Sequence, residues 1–411
     1  MERGEVAGVF FHGMSAAFDI VDHHLLFKKL ALYGFDQGLL TWASSYLSNR
    51  LQCVCIDGSL SKLQLVQQGV PQGSILGPLL YIIFTNELPE VTHGDCVDVA
   101  VNTEQTWPNY TMNCSSCGSV GCYADDTTYT CSGSDAAALS DTLTSKFKII
   151  SDFLVSNKLK LNDDKTHLMV MSTSQARLSR ARKNTSYMVE IRTPAKIIES
   201  SSSEKLLGCN IHQDMKWAEH IQNSEDSLLR ALNTRLNALK QLGKIAGFKT
   251  RKMVADGIFM SKLIYLIVLW GGCTKELSHA LQVVQTKAAK VVTKLDWYTS
   301  TRVVLQQCGW LSVQQLVVYH TVLMVHKILR NESPAYLYSM FSTNYSYRTR
   351  QAGSGMNRST RTQNLDLATG SFRYRASKMY NDLPQYVRGK NNIDSFKAAV
   401  KDWIRGNIPV E

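Results

Sequence analysis

Tyr123-Ala124-Asp125-Asp126 sets two adjacent acids between short apolar flanks, and upstream of it lies Gln68-Gly69-Val70-Pro71-Gln72-Gly73-Ser74. Adjacent carboxylates repel one another, so a fold that keeps both at one tight hairpin commonly does so for a hard divalent cation. A lone Asp-Asp dipeptide is ordinarily a solvated turn. The second stretch changes that balance: it is a Gly/Pro/Gln/Ser turn running into a helix, suited to lie against a base pair or a sugar.

Outward from this pair, Val6 to Met14 reads as a buried strand, and a helix runs from near Asp22 through Leu32, ended by Gly34. Leu39 to Leu47 reads as a second helix, and Gln52 to Ile56 with Lys62 to Val66 as a hairpin around Asp57-Gly58. Pro78 to Glu87 is helical, with Pro in its first turn. Periodicity is lost from 89 to 121, which reads as an irregular, cysteine-containing insertion. Cys122 to Thr130 is the acidic hairpin and Asp135 to Asn157 a helix. Strands follow near Lys160 and at Leu168 to Met171, then a strand pair, Met188 to Arg192 with Leu206 to Ile211. Beyond Trp217 the chain is helical: Leu228, Leu232, Leu236 and Leu239 keep the spacing of a core-facing stripe. Further helices are expected at Thr250 to Trp270, Leu277 to Leu295 and Ser312 to Leu329. An Arg-rich polar stretch from 344 to 363 reads as a linker before a short unit, Ser371 to Arg405.

With 411 residues the chain can bury a sizeable core in two or three domains. Its 45 Lys+Arg against 34 Asp+Glu leave +11, which favours a polyanionic partner. Met1 to Gly8 is charged and has no signal-peptide run, and the apolar stretch Leu263 to Trp270 is too short to span a bilayer. The expectation is an intracellular protein of nucleus or cytoplasm, not secreted and with no membrane partner, its cysteines reduced. Cys114-x2-Cys117 with His93 or Cys96 can be drawn as a zinc site, but no second pair completes it, and loop thiols are the preferred reading.

In this order and spacing, the Gln68–Gly77 block (QGVPQGSILG) and the Ala124-Asp125-Asp126 hairpin resemble the palm of a reverse transcriptase, of the type carried by non-LTR retrotransposons. The resemblance implies an α+β fold: a palm with an antiparallel sheet backed by helices (1–215), an all-helical thumb (216–343), then an Arg-rich linker and small C-terminal unit (344–411). It implies RNA-templated DNA synthesis on an RNA template and a DNA primer from deoxynucleoside triphosphates, with two Mg2+ ions clamped between carboxylates from different strands. Asp125 is the expected principal ligand and Asp126 its support. The family's other aspartate opens the segment Asp-Leu-Ser-x-Ala-Phe-Asp. Here that segment reads Gly13-Met14-Ser15-Ala16-Ala17-Phe18-Asp19, so the first metal-binding position is Gly13. His12 should point to the opposite face of the strand, and Asp22 reads as a helix N-cap.

By the same resemblance, Phe18 is the ring that selects deoxynucleotides, and Gln72, Gly73 and Ser74 support the templating base and incoming nucleotide. Lys165, in Leu159-Lys160-Leu161-Asn162-Asp163-Asp164-Lys165-Thr166, is a candidate acid or charge neutraliser at the leaving group. Leu207 and Gly208 belong to a hairpin that grips the primer end. Taken singly, Phe18 is a core ring and Lys165 a surface lysine. Nucleic-acid contact is expected from the loop residues Arg177, Arg180, Arg182 and Lys183. The helical-region cations Arg230, Arg235, Lys240, Lys244, Lys249, Arg251 and Lys252 can follow a phosphate backbone or simply be solvated. The chain starts near its own first palm strand, which reads as a 5′-truncated copy without fingers. The leading expectation is a reverse transcriptase domain impaired by Gly13. Its rivals are a non-catalytic RNA/DNA-binding protein derived from one, and a decayed reading frame.

Overall fold

The apolar run Val6–Met14 forms strand β1, and all of its residues except Ala7 are buried. A strand covered on both faces needs no polar alternation, which is why the run is continuous. In the computed structural model the described residues are 6–93, 99–100, 111–114, 118–133, 136–172, 189–192, 197–330, 332–333, 335–338, 341 and 371–410. They fall into two compact units, Met1–Ser202 and Ser203–Glu411.

In the first unit β1 lies between two antiparallel neighbours, β9 (Asp126–Gly133) and β10 (Leu161–Met171). The sheet continues past β9 through β8 (Gly118–Tyr123), β7 (Thr111–Cys114) and β6 (Val99–Ala100). Past β10 it continues through β12 (Ile197–Ser201) and β11 (Glu190–Arg192). Only the β10–β12 pair is parallel. Helices α1 (His23–Leu32), α2 (Gln37–Leu47), α3 (Leu76–Thr85), α4 (Leu88–His93) and α5 (Ala136–Ser156) complete the unit. Leu139, Leu143, Phe147, Ile150 and Leu154 of α5 and Phe10, Tyr129 and Leu168 of the sheet share one apolar cluster. This is an α+β unit, a mainly antiparallel sheet backed by helices, as expected.

Several boundaries follow from local chemistry. Asp22 caps α1 by accepting the Leu25 amide at 2.9 Å, and Asp36 caps α2 through Leu39 at 2.8 Å. Lys29 is buried, yet its ammonium reaches the Phe84 carbonyl at 2.8 Å and the Glu87 carboxylate at 3.0 Å. A buried cation with two oxygen partners joins α1 to the end of α3.

The structure departs from the sequence-based expectation at five places. The segment 89–121 supplies most of α4, the strand β7 and the edge strand β6; β7 reads TMNC, without apolar alternation, and is paired with both β6 and β8. The hairpin around Asp57-Gly58 is two short ladders, β2 (Leu51–Gln52) with β5 (Gln64–Leu65) and β3 (Cys55–Ile56) with β4 (Ser59–Leu60). The two strands expected near Lys160 and Met171 are one, β10. The expected pairing of 188–192 with 206–211 does not form: β11 pairs with β12, while β14 (Cys209–His212) pairs with β13 (Ser203–Leu206). The two-residue turn Leu207-Gly208, both at positive φ (48° and 75°), makes that local pairing the shorter closure. Finally, the helix expected from Thr250 to Trp270 is interrupted.

The second unit is helical beyond its hairpin. Leu228–Ile245 buries Leu228, Leu232, Leu236 and Leu239, as the stripe required. Lys275–Thr293, Thr301–Cys308 and Val313–Leu329 follow, the last opened by a Ser312/Gln315 capping box. The C-terminal helices Phe372–Asn381 and Ile393–Asn407 place Ala376, Tyr380, Phe396, Val400 and Ile404 in the same core. Among the described residues no single helix is long and apolar enough to cross a membrane.

Candidate active site

The acids sit where strand pairing forces them. Tyr123 pairs with Asp126, so Ala124 and Asp125 form a two-residue turn with Ala124 in the left-handed region (φ 52°). Asp125 is half-buried and Asp126 exposed. Partial desolvation first, and then the charge of Asp125, push the Asp126 carboxyl above its ordinary value; Lys165 pulls it back. Asp125 in turn faces the buried phenol of Tyr81, whose pKa is raised by burial and then by that charge.

β1 brings its end to the same place. His12 pairs with Thr127, next to Asp126, and on the other side Gly13 pairs with Asn162. Phe11 pairs with His167, so β10 bulges between 162 and 167. Within the bulge the Asn162 side chain accepts the amides of Asp164 (3.0 Å) and Lys165 (3.3 Å), and Thr166 donates to the Asn162 carbonyl at 2.8 Å. This loop folds over Gly13. A Cβ placed on Gly13 would lie 2.2 Å from the Lys165 Cβ and 3.0 Å from its carbonyl oxygen. The position facing the acidic hairpin is therefore a glycine beneath a lysine.

His12 points away, as strand alternation demands. Its ring stacks on Phe147 (5.1 Å) and meets Phe10 edge-on (4.6 Å). Burial pushes it down to about 3, so it is neutral and offers nothing to the acids. Two Mg2+ ions clamped between strands need carboxylates from both: the hairpin contributes an acid pair and β1 contributes none. Among the described residues no three His, Cys, Asp or Glu side chains gather as ligands. The residues do not fit a pair of magnesium ions.

The Gln68–Gly77 loop is sewn to the segment after β1. Gly69 donates to the Val21 carbonyl (2.8 Å), Val70 to the Phe18 carbonyl (2.7 Å), and the His23 ring meets the Gly69 carbonyl at 2.7 Å. Gly69 has φ 89°, and a Cβ there would fall 2.6 Å from the Asp19 carbonyl, so only glycine permits this approach. The Gln72 amide donates to Asp19 at 2.9 Å. The Ser74 hydroxyl donates to the Pro71 carbonyl (2.7 Å) and accepts the Gly77 amide (2.9 Å), which starts α3. Gly73 is open, with nothing within 4 Å of where a Cβ would stand. The Phe18 ring stacks on Tyr81 at 4.5 Å, and the Tyr81 hydroxyl meets the Met14 sulfur at 3.1 Å.

Phe18, the loop, the acids and Lys165 are thus parts of one unit. Two members escaped the sequence reading: Tyr81, and Asp19 as the partner of Gln72. Tyr81 was legible in principle, since 77, 80, 81 and 84 are spaced as one helix face. Leu207 and Gly208 form the hairpin tip of the second unit, where the Leu207 carbonyl accepts the Tyr265 hydroxyl at 2.6 Å. Arg177, Arg180, Arg182 and Lys183 lie outside the described residues, as do Cys96 and Cys117 and the side chains of His93 and Cys114. Of the helical cations, Arg235 and Lys240 bond within their own helix, and Arg251 and Lys252 are held more firmly. Arg251 is buried and donates to the carbonyls of Val292 (2.8 Å) and Ala246 (2.6 Å), and Lys252 pairs with Asp256 at 2.6 Å.

A family model described as reverse transcriptase (RNA-dependent DNA polymerase) matches residues 3–211. The chain is 24% identical over 306 residues to the RNA-directed DNA polymerase from mobile element jockey of Drosophila melanogaster, covering 74% of this chain and 30% of that protein. It is 24% identical over 339 residues to the probable RNA-directed DNA polymerase from transposon BS of the same organism, covering 80% and 33%. The chain therefore spans about a third of the length of these curated relatives. A solved structure of telomerase from Candida albicans with a fragment of telomeric RNA aligns at TM-score 0.36 and 14% identity, over 75% of this chain and 52% of that one. At that score the likeness carries no argument.

Proposed function

Because the chain belongs to the reverse transcriptase (RNA-dependent DNA polymerase) family, of the kind carried by non-LTR retrotransposons, we propose that it is an RNA-templated DNA-synthesis domain whose nucleotidyl transfer is impaired. The family generally uses Mg2+. Two such ions, where a site held them between two strands, would activate a primer hydroxyl and steady the leaving pyrophosphate. In this chain Asp125, supported by Asp126, is assigned to one cation. Phe18, braced by Tyr81, is assigned to deoxynucleotide selection, and Gln72, Gly73 and Ser74 to template and nucleotide support. Lys165 is assigned to charge neutralisation beside Asp126. The primer end falls to Leu207 and Gly208.

One observation supports the impairment: the second carboxylate's position is Gly13, and the place of a Cβ there is taken up by the Lys165 Cβ and carbonyl oxygen. A second reading, a non-catalytic binder of RNA or RNA–DNA hybrid, is favoured by the Gln68–Gly77 loop, whose Gly69, Val70 and Gln72 stay bonded to the segment after β1 although Gly13 supplies no carboxylate.

Primer extension on an RNA template, with Mg2+ and with Mn2+, tests the proposal beside hybrid binding without divalent ions. The expected result is binding with synthesis at background. Template-dependent synthesis that Asp125→Asn abolishes would refute the impairment.

A further inference from the structure

Between α2 and the Gln68–Gly77 loop the chain reads LQCVCIDGSLSKLQL from Leu51 to Leu65. Apolar residues at this density normally serve a core, yet every residue from 51 to 65 is exposed. Leu51, Val54, Ile56, Leu60, Leu63 and Leu65 are each more than half exposed, and neither apolar cluster of the described residues includes them. We propose that this arm joins two copies of the chain, packed face to face about a two-fold axis that crosses the Cys55–Leu60 pair. Such an association holds whether or not the chain synthesises DNA.

Backbone geometry is the first ground. Asp57 (φ 48°) and Gly58 (φ 82°) make a two-residue turn, β3 pairs with β4 behind it, and β2 with β5 closes the stem. The Ser61 amide donates to the Val54 carbonyl at 2.8 Å, and the Ser61 hydroxyl accepts the Val54 amide at 2.9 Å. Two strands alone are marginal in water, so an ordered arm with apolar side chains on both faces calls for a cover.

Charge selects a second copy as that cover. The chain carries +11, so two copies repel over most of their surface, but residues 51 to 65 hold one acid, Asp57, and one base, Lys62. Neither is ion-paired among the described residues. Cys55 pairs with Leu60 in the ladder; Asp57 lies two residues from Cys55 towards the turn, and Lys62 two residues from Leu60 towards the stem. The two charges therefore stand about 7 Å to either side of that pair. A two-fold axis there exchanges the ends and sets each Asp57 towards Lys62 of the other copy. By alternation Cys53, Cys55, Leu60 and Lys62 share a face, so Leu60 and two free, exposed thiols meet in the middle. An arm of this length supplies fewer residues than the roughly 20–30 of a stable interface, so the dimer belongs in the micromolar range.

Sedimentation of the whole chain over about 1–100 μM tests this, with a reversible monomer–dimer equilibrium expected. Leu60→Glu should abolish the dimer over that range, and Lys62→Glu should weaken it roughly tenfold or more. Adding Asp57→Lys to Lys62→Glu should restore it; lysine already holds positive φ in this chain at Lys158 and Lys294. A bis-maleimide should join two copies through Cys53 or Cys55, as mapped by mass spectrometry, and the variants should keep the wild-type melting temperature. A monomer at every concentration overturns the assignment; slow maleimide labelling of Cys53 and Cys55 in that monomer would give the cover to the chain's own residues. A dimer indifferent to Leu60→Glu overturns it too, placing the contact on another face. Open-ended assemblies that the charge exchange does not return to a dimer also overturn it, leaving unspecific strand-edge association.

Discussion

Any side chain placed at residue 13 would compete with Lys165 for one volume. With a Cβ on residue 13 only 2.2 Å from the Lys165 Cβ, restoring the family's carboxylate means moving the β10 bulge. We expect Gly13→Asp alone to leave primer extension at background and to lower stability by about 1–3 kcal/mol, the usual cost of overpacking. Lys165→Ala would not relieve the clash, because the Cβ remains. Adding Lys165→Gly should return the melting temperature towards wild type, since only the contact at 3.0 Å to the carbonyl oxygen is left. His12 gives a pH signature. Its ring titrates near its ordinary value of about 6.5 when unfolded, and is pushed down to about 3 when buried. The unfolded chain therefore binds the proton first. The contribution of the neutral ring is complete above about pH 6.5 and is lost as pH falls towards 3, by up to about 1.4 kcal/mol per unit. Among the described residues neither ring nitrogen has a hydrogen-bond partner, so His12→Leu should be near neutral at pH 7 and more stable than wild type at about pH 5, as urea midpoints will show.

Elements were legible where local chemistry decides them. Asp22 and Ser312 were read as starts of helices and each side chain does cap one, because a cap is a contact three residues long. Asp22→Ala should cost about 1 kcal/mol in urea unfolding, with the Lys158 contact adding little because that lysine is exposed. The acidic hairpin was legible for the same reason: a two-residue turn needs only its flanks. The β10 bulge was not, since its extra residues are defined by β1, a strand distant in sequence. Nor was the π-helical break after Val254, whose stretch keeps an unbroken apolar pattern. Leu232 sits fully buried in the helical core. Its replacement by Ala should cost about 2–5 kcal/mol by thermal unfolding.

At the scale of the whole molecule, each unit carries its own apolar cluster, one under the sheet and one among the helices. The excess of +11 charges gives the chain a field suited to polyanions. Hybrid affinity should consequently fall with salt. If four phosphates are neutralised, the loss between about 50 and 200 mM is roughly a hundredfold, measurable by fluorescence anisotropy.

The sequence alone determined the family, the hairpin acids and the missing carboxylate at Gly13, because motif order and turn chemistry are written in contiguous residues. Tertiary structure alone decided what occupies the missing carboxylate's place, which ring braces Phe18, and which cations, Arg251 among them, are engaged internally. Those outcomes depend on contacts between segments far apart in the chain, where volume and pairing register, rather than residue type, select the neighbour.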